Sequence, residues 1–498
     1  MSYIYKNNRL VPAIVISICL ILFYCFIDPS IQPGETLQVV SVEKTSEQAA
    51  AIVPQKPITE ATTPHKANPP SQPTKSSSSL PKASSSPSSI QHNGLSADDV
   101  LLIVKTGGTT IWKRLLIHLT TSLDENRIKP ENIAIYSDQT QTVGRFQVID
   151  ALANMTSEMK AKEDFAVYRQ LPEYDSHNYY VEAAGVAGDE WGPVGGWIID
   201  KYKFVPLVEH AGAHWPKAKW YIYMEDDAYL FLPNVISYLS SFDASKPHYL
   251  GSYAAKSDVI FAHGGAGFAL SRGAWEQSFG STKESLTSKY YQYTKDHCCG
   301  DQVLALALRD HGVKFGENGG DGKFTWGFNP LVHWNFAFEQ SNWCKPVLSW
   351  HKVHSRDVAR YYDLEKSWDF STKGPLMHGD FFKHMILPDV KKRAEWWDNQ
   401  SGVYSVASGN NEWSPKPPKE AKYDAALWKK AWQSVEDCEA ACKSWDKCMQ
   451  WAYVEDLCKM DDKMMMGQGY AEGMSQRKTA LMHTSGWLYE RLENWKCS

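Results

Sequence analysis

Three consecutive acidic residues, Glu225, Asp226 and Asp227, stand between two apolar segments in the stretch WYIYMEDDAYLFL. The apolar run before them, residues 220–224, is too short for a helix and is typical of a buried strand. The acids therefore come where the backbone leaves a sheet, and open α/β sheets bind ligands at the carboxyl ends of their strands. Oxygen donors there suit Mg²⁺ or Mn²⁺, which keep coordination positions for water and substrate phosphates. The triplet predicts a metal and nucleotide-diphosphate site, and a solvated acidic turn is the structural alternative.

Polar residues also follow the first two predicted strands. The apolar segment DVLLIVKTG ends in Lys105 and Thr106, and NIAIYSD ends in Asp138. An amphipathic segment, TIWKRLLIHLTTSL, separates the two, so strand, helix and strand predict the start of a parallel α/β sheet. The three polar side chains then fall at the same sheet edge as the acidic triplet, although ordinary loop chemistry also explains them.

Three later segments carry further candidate site residues. In FAHGGAGFALS, Gly264 and Gly265 allow close approach of backbone to a ligand, and a tight turn would use the same glycines. Asp301 precedes an amphipathic helix, where it is either an N-cap or a base that accepts a proton from a hydroxyl. Helix-end N–H groups are expected to keep it ionised. His351, in the short strand PVLSWHKV, is either a nitrogen ligand for Mn²⁺ or a surface histidine.

Taken in order, these segments resemble glycosyltransferase family 31. The segments are KTG, YSD, WYIYMEDDAYLFL, HYLGS, HGGAGFALS, CCGDQVLA and PVLSWHKV, and fungal-type members and relatives of core 1 β-1,3-galactosyltransferase and Fringe are the most similar. The resemblance covers residues 99–360 and implies a domain at 98–362 with the GT-A fold, a Rossmann-like nucleotide-sugar-binding α/β fold. It further implies an inverting hexosyltransferase that moves a sugar from a UDP-sugar to a glycan or glycoprotein hydroxyl, usually in β-1,3 linkage. Mn²⁺ would bridge the diphosphate, with Mg²⁺ as the alternative ion.

The same resemblance assigns roles to individual residues. Asp227 and His351 match the metal ligands, and Asp301 matches the general base. Glu225 and Asp226 are expected to assist with the metal and the ribose. The remaining contacts to the nucleotide or the donor pocket fall on Lys105, Thr106, Asp138, Gly264 and Gly265.

Two positions depart from the family pattern. Glu225 stands where the first Asp of the Asp-x-Asp motif is usual, and Gly300 stands where an acid is more common. The first departure leaves open a non-catalytic lectin or chaperone-like subunit on a degenerate transferase fold. A phosphohydrolase with two metals is disfavoured because the sequence has one strong metal cluster.

The N-terminal part of the chain has the pattern of a membrane anchor and a stem. Residues 1–9 are polar and basic, residues 10–27 are uncharged and apolar, and residues 28–97 are rich in Ser and Pro. This predicts a cytoplasmic tail, a transmembrane signal anchor and a disordered stem, with a cleaved signal peptide as the alternative. A type II Golgi or endoplasmic-reticulum membrane protein with a lumenal catalytic domain follows. The net charge of −5 among 498 residues gives no support for a nucleic-acid partner.

The C-terminal segment is rich in cysteine. Residues 363–420 are polar and predicted to be an extension or linker, whereas residues 421–498 resemble a PAN/apple module, a small disulfide-rich α+β domain whose usual first cysteine is missing here. Such a module would bind protein or carbohydrate. One pairing compatible with it is Cys438–Cys458 with Cys442–Cys448, and the other lumenal cysteines, Cys298, Cys299, Cys344 and Cys497, can also pair. Sequons at Asn154 and Asn399 suit a secretory lumen.

Overall fold

The computed structural model describes residues 91–92, 94–174, 195–316, 327–408, 410–417, 420–470 and 481–497, which belong to one compact unit, Ala83–Ser498. The predicted anchor at 10–27 and most of the predicted stem lie outside these residues. Among the residues that are described, no helix is both long and apolar enough to cross a membrane. The fold begins earlier than the predicted stem boundary, because Leu95 and Ala97 are buried against the core.

The larger domain is built on a seven-stranded sheet and several short strands. Its strands are β1 (Gln91–His92), β2 (Leu95–Ser96), β3 (Val100–Lys105), β4 (Ile133–Ser137), β5 (Gln141–Val143), β6 (Phe146–Asp150), β7 (Trp220–Glu225), β8 (Ala228–Leu230), β9 (Tyr249–Gly251), β10 (Tyr253–Lys256), β11 (Val259–Ala262), β12 (Phe268–Ser271), β13 (Phe328–Asn329) and β14 (Ser349–His351). The main sheet has the order β5-β6-β4-β3-β7-β12-β9. Strands β6, β4, β3 and β7 run parallel, whereas β5 and β12 are antiparallel to their neighbours.

Helices cover both faces of this sheet. They are α1 (Ile111–His118), α2 (Ser157–Lys160), α3 (Ala166–Tyr174), α4 (Gly196–Asp200), α5 (Phe204–His214), α6 (Leu232–Leu239), α7 (Arg272–Gln277), α8 (Leu286–Lys289), α9 (Tyr291–Asp296), α10 (Gly300–Asp310), α11 (Gln340–Trp343), α12 (Ser355–Ser367), α13 (Phe370–Lys373) and α14 (His378–Phe381). Alternate residues of β3 and β7 pack against α1 and α6 on one face, and against α5 and α10 on the other. Both strands are therefore apolar throughout their interior. The predicted α/β class, with a parallel sheet consistent with a GT-A domain, is confirmed.

A second, three-stranded sheet extends the edge of the main sheet at which β7 ends. Its order is β13-β14-β8, and His351 of β14 lies opposite Ala228 of β8. Because β8 follows the acidic triplet directly, this pairing brings a distant strand beside the triplet. The antiparallel register thus decides which residue of β14 reaches the acids.

The C-terminal domain is a six-stranded antiparallel sheet in the order β15-β22-β19-β20-β17-β18. Its elements are β15 (Arg393–Glu395), β16 (Trp397–Asp398), β17 (Tyr404–Ala407), β18 (Asn410–Ser414), α15 (Ala425–Lys430), α16 (Val435–Ser444), β19 (Gln450–Val454), β20 (Leu457–Asp461), β21 (Gln468–Gly469) and β22 (His483–Trp487). The segment 363–420, predicted as a linker, contains helices and supplies three strands of this sheet. The polar composition of this segment did not indicate strands, because β17 and β18 are short and only alternate residues of β17 are buried.

Disulfides hold the C-terminal domain together and attach it to the larger domain. The pairs Cys438–Cys458 and Cys442–Cys448 form, as does the bond between the neighbours Cys298 and Cys299. The fourth pair, Cys344–Cys497, joins two residues 153 positions apart across the two domains. The core packing is also continuous there, since Trp343 meets Trp495 edge to face with ring centroids 5.1 Å apart. The PAN/apple resemblance stays a prediction.

The two sequons differ in accessibility. Asn154 is exposed, whereas Asn399 is fully buried, and its Nδ2 donates to the Trp451 carbonyl at 3.1 Å. A glycan on Asn399 is incompatible with this packing, because the amide nitrogen that would carry the sugar is used inside the sheet. The sequon pattern therefore marks only Asn154 as an accessible position.

Candidate functional site

The site lies at the carboxyl ends of β3 and β7, which are neighbours in the main sheet. Lys105 is in register with Glu225, and the Asp226 amide donates to the Lys105 carbonyl at 3.0 Å, so the strand pairing continues into the acidic triplet. Parallel pairing thus brings two predicted segments together at this edge. Thr106 of the first segment and Asp226 of the second are 120 residues apart in the sequence. The start of α10 and the turn between β11 and β12 complete the same edge.

Three side chains at this edge form a group suited to a metal ion. The ligand atoms of Glu225, Asp227 and His351 all lie within 4.8 Å of one another. The Val353 amide donates to the Asp227 carbonyl at 2.8 Å and so holds the end of β14 against the triplet. The sequence-based prediction that Asp227 and His351 act at one place agrees with this proximity.

The imidazole of His351 is oriented for ligation. Its Nδ1 lies 3.0 Å from the Pro330 carbonyl oxygen, which can only accept, so Nδ1 carries the proton. In the neutral imidazole Nε2 then presents a lone pair, 3.5 Å from Asp227 Oδ1, whereas in the protonated imidazole it carries a proton toward that oxygen. A backbone carbonyl that fixes the outer nitrogen in this way is the usual support of a metal-binding histidine.

Asp227 has an unsatisfied buried oxygen. Its Oδ1 is buried and accepts no hydrogen bond from the described residues. Burial opposes ionisation, yet the pKa of Asp227 is lowered because the charge of His351 and other nearby cations outweighs burial. An ionised oxygen without a partner is costly unless a cation satisfies it. Together with Glu225 and His351, this donor set of two carboxylates and one imidazole fits a divalent ion.

Asp226, the middle acid, faces away from this group. Its Oδ2 accepts from Thr106 Oγ1 at 2.6 Å and from Thr110 Oγ1 at 3.1 Å, and Arg114 Nη1 lies 3.6 Å from Oδ1. Burial, only partly offset by Arg114, raises its pKa to about 6. Asp226 and Thr106, predicted to contact metal, ribose or nucleotide, bind each other, and Thr110 and Arg114 link Asp226 to α1.

Lys105, another predicted nucleotide contact, is buried and paired. Its ammonium contacts the carboxylates of Asp200 and Glu225, the latter at 3.1 Å. These charges raise its pKa although burial would lower it. Asp200 in turn has its pKa lowered to about 2, since the cations beside it outweigh burial. Lys105 therefore orients Glu225 toward the metal group, and its charge is already balanced by protein carboxylates.

Asp138 is also used within the protein. It is buried, its Oδ1 accepts from the Gly108 amide at 2.6 Å, and Lys203 Nζ lies 3.6 Å from its Oδ2. Lys203 also donates to the Thr106 carbonyl at 2.8 Å. Asp138, a predicted nucleotide contact, thereby shapes the turn after β3 that a ligand at this edge would face.

Asp301 lies in the first turn of α10, beside the glycine turn. Its Oδ2 accepts from the Gly264 amide at 2.8 Å, and its Oδ1 accepts from the Gln302 amide at 2.9 Å. These N–H groups lower the pKa of Asp301, but burial outweighs them and raises it to about 6. Helix-end groups were expected to keep Asp301 ionised, and a carboxyl group with a pKa of about 6 is mostly ionised at neutral pH. A pKa near 6 suits a general base that works near neutral pH.

Two glycines at this edge allow other side chains to approach the backbone closely. A Cβ on Gly265 would lie 2.2 Å from His351 Nε2, and a Cβ on Gly264 would lie 3.2 Å from Glu225 Oε1. His351 and Glu225 can therefore pack closely against this turn because its glycines lack side chains. Gly300, the departure from the family pattern, is explained by packing, since its Cβ would lie 2.4 Å from the Lys201 carbonyl oxygen.

Sequence reasoning missed several supporting residues. Asp200, Lys203 and Arg114 bind the predicted site residues, and His118 Nε2 lies 3.0 Å from the Asp226 carbonyl oxygen. His118 and Arg114 both lie on α1, four residues apart and therefore on one face, which the amphipathic pattern contained. Asp200 gave no signal, because its partner Lys105 is 95 residues away and the two meet only through the fold.

The same part of the chain is similar to a known protein family. A model of the Fringe-like family matches residues 95–308. These residues are similar to the Fringe-like family. The chain thus contains a glycosyltransferase domain of family 31 type, and the resemblance drawn from its motifs is confirmed. The matched residues include the acidic triplet, the glycine turn and Asp301, whereas His351 lies beyond them. No curated protein is significantly similar to the chain.

Proposed function

We propose that this Fringe-like protein is an inverting, Mn²⁺-dependent hexosyltransferase that moves a sugar from a UDP-sugar to a hydroxyl of a glycan or glycoprotein, in β-1,3 linkage. Mg²⁺ is the alternative ion. The observation that carries the proposal is the juxtaposition of one metal-binding group with one separate carboxylate. Gly264 connects them, because its amide binds Asp301 and its lack of a side chain lets Glu225 and the Phe204 ring pack closely against it.

In this mechanism each part of the site has a distinct task. Glu225, Asp227 and His351 would hold the ion, which when bound supplies positive charge to the leaving diphosphate. Asp301 accepts the proton of the acceptor hydroxyl as its oxygen attacks the anomeric carbon from the side opposite the diphosphate. A single carboxylate without a covalent intermediate is what an inverting transfer requires.

The proposed location is the membrane of the Golgi or the endoplasmic reticulum, with the folded domains in the lumen. The uncharged run at 10–27, outside the described residues, is the basis for the anchor. Four disulfides among the described cysteines support an oxidising compartment.

Turnover of a donor panel by the purified full chain, with Mn²⁺ and with chelator, tests the proposal. We expect UDP release that requires metal and an acceptor and that is lost in Asp227→Asn and in Asp301→Asn. Asp296→Asn is the matched control, because this exposed carboxylate lies outside the site. If no UDP-sugar is turned over and UDP does not bind with Mn²⁺, the alternative of a non-catalytic lectin or chaperone-like subunit replaces the transferase.

A further inference from the structure

Lys352, the residue after His351, has an unusual backbone conformation. Its φ is 57°, in the left-handed region that side chains with a Cβ rarely adopt. Such strain persists where the surrounding structure enforces it, and it occurs frequently at ligand-binding sites. Here it is enforced from both sides, because the His351 ring is fixed by the Pro330 carbonyl and the Val353 amide is fixed by the Asp227 carbonyl. The backbone of Lys352 is therefore held between two anchored neighbours at the edge of the metal group.

The backbone of Lys352 lies beside the metal group. Lys352 directly follows His351, and the amide of the next residue, Val353, donates to the Asp227 carbonyl at 2.8 Å. Charge effects agree with this placement, because burial lowers the pKa of His263 to about 4 and the charge of Lys352 adds to the lowering.

Lys352 differs from the other cations of this edge in its partners. Lys105, Lys203 and Arg114 each contact two carboxylates of the protein. Lys352 is exposed, and it forms no ion pair with any carboxylate in the described part of the chain. Its charge is therefore available to a ligand, whereas the other three are already balanced.

A bound diphosphate would need a further positive charge at this site. The carboxylates of Glu225 and Asp227 together cancel the charge of one divalent ion. A diphosphate bound there would keep most of its negative charge, which increases when the sugar leaves. An additional positive group that faces the departing phosphate would stabilise that charge as it develops.

We propose that Lys352 binds the sugar-bearing phosphate of the donor and stabilises it as the leaving group, an inference that rests on the proposed transfer reaction. In that step the bond between the anomeric carbon and the phosphate oxygen breaks, and its electron pair stays on the oxygen. The acceptor oxygen forms the new bond, and its proton passes to Asp301. Lys352 contributes charge and hydrogen bonds and transfers no proton.

Binding of three probes to the full chain with Mn²⁺ tests this role by calorimetry: UDP, inorganic pyrophosphate and UMP. We expect Lys352→Met to weaken UDP and pyrophosphate about tenfold, and to leave UMP unchanged, because UMP lacks the phosphate concerned. Lys352→Arg retains the charge and should bind UDP nearly as the unmodified protein does. Lys217→Met, at an exposed lysine before the opposite end of β7, is the control.

Lys352→Gly separates charge from backbone strain. Glycine adopts this φ freely, so a purely structural role predicts normal UDP binding in this variant, whereas our inference predicts the same loss as in Lys352→Met. Unchanged UDP and pyrophosphate affinity in Lys352→Met would overturn the inference and leave the proposed function intact. If the unmodified protein binds neither UDP nor pyrophosphate with Mn²⁺, the proposed function fails and this inference fails with it.

Discussion

Replacing Gly265 by alanine adds one methyl group at the most crowded point of the metal group. The new Cβ would lie 2.2 Å from both Nε2 and Cε1 of His351, whereas carbon contacts are normally about 3.5 Å. The ring must therefore move by about 1 Å, and metal–ligand distances tolerate only about 0.2 Å. Loss of His351 as a ligand is the expected result, and Mn²⁺ affinity should fall about 10-fold to 100-fold.

Calorimetric titration of the purified protein with Mn²⁺ measures this loss directly. Gly402→Ala is the control, because a Cβ there meets nothing closer than the Gln400 carbonyl oxygen at 3.8 Å. His351→Asn removes the ring without adding volume, and it should show the same loss of Mn²⁺ affinity even if Gly265→Ala folds poorly. Mn²⁺ binding by both site variants with the affinity of the unmodified protein would refute the assignment of His351 as a metal ligand.

Four further predictions concern buried charges and a disulfide. Because burial raises the pKa of Asp301 to about 6 and the base must be ionised, kcat/KM should rise with pH through about 6. The same raised pKa means that ionisation of Asp301 destabilises the fold, so the Tm of the unmodified protein should fall relative to that of the inactive Asp301→Asn variant as pH rises through about 6; a Tm difference independent of pH would contradict this. Serine at both Cys344 and Cys497 should cost about 2–5 kcal/mol in chemical unfolding, and an unchanged midpoint would show that domain packing alone holds the C-terminal domain. Arg127 Nε lies 2.6 Å from Glu365 in a buried pair, so Arg127→Met should cost about 3–5 kcal/mol, whereas Lys129→Met at an exposed pair should cost little.

Local sequence pattern was sufficient to predict the strands that carry the site. The apolar runs of β3 and β7 are uninterrupted because helices cover both faces of the sheet, and such runs are visible in any window of the sequence. The acids after β7 and the glycines before β12 were identified in the same way. That Asp227 and His351 lie together was expected from a family resemblance, and the structure brings them together through the β14–β8 pairing.

The orientation of side chains within these segments was not predictable from pattern. Asp226 and Asp227 are adjacent acids, yet one binds Thr106 and Thr110 while the other joins the metal group. Successive residues at the end of a strand point to opposite sides, so a triplet cannot direct all its carboxylates at one ion. Which side faces the ligand depends on what packs behind it, here α1.

The sequence by itself determined the α/β class, the edge of the sheet where the chemistry lies, and the types of side chain that stand there. Tertiary structure decided which charges are available. Lys105 and Asp138 resemble ligand-binding residues in the sequence, but the fold brings Asp200, at the end of α4, and Lys203, in the turn after it, into contact with them. Lys352 was unremarkable in the sequence, and its backbone strain and missing carboxylate partner are seen only in the fold. Strand and helix patterns are local, whereas the pairing of charges depends on contacts between residues about a hundred positions apart, which a local pattern does not contain.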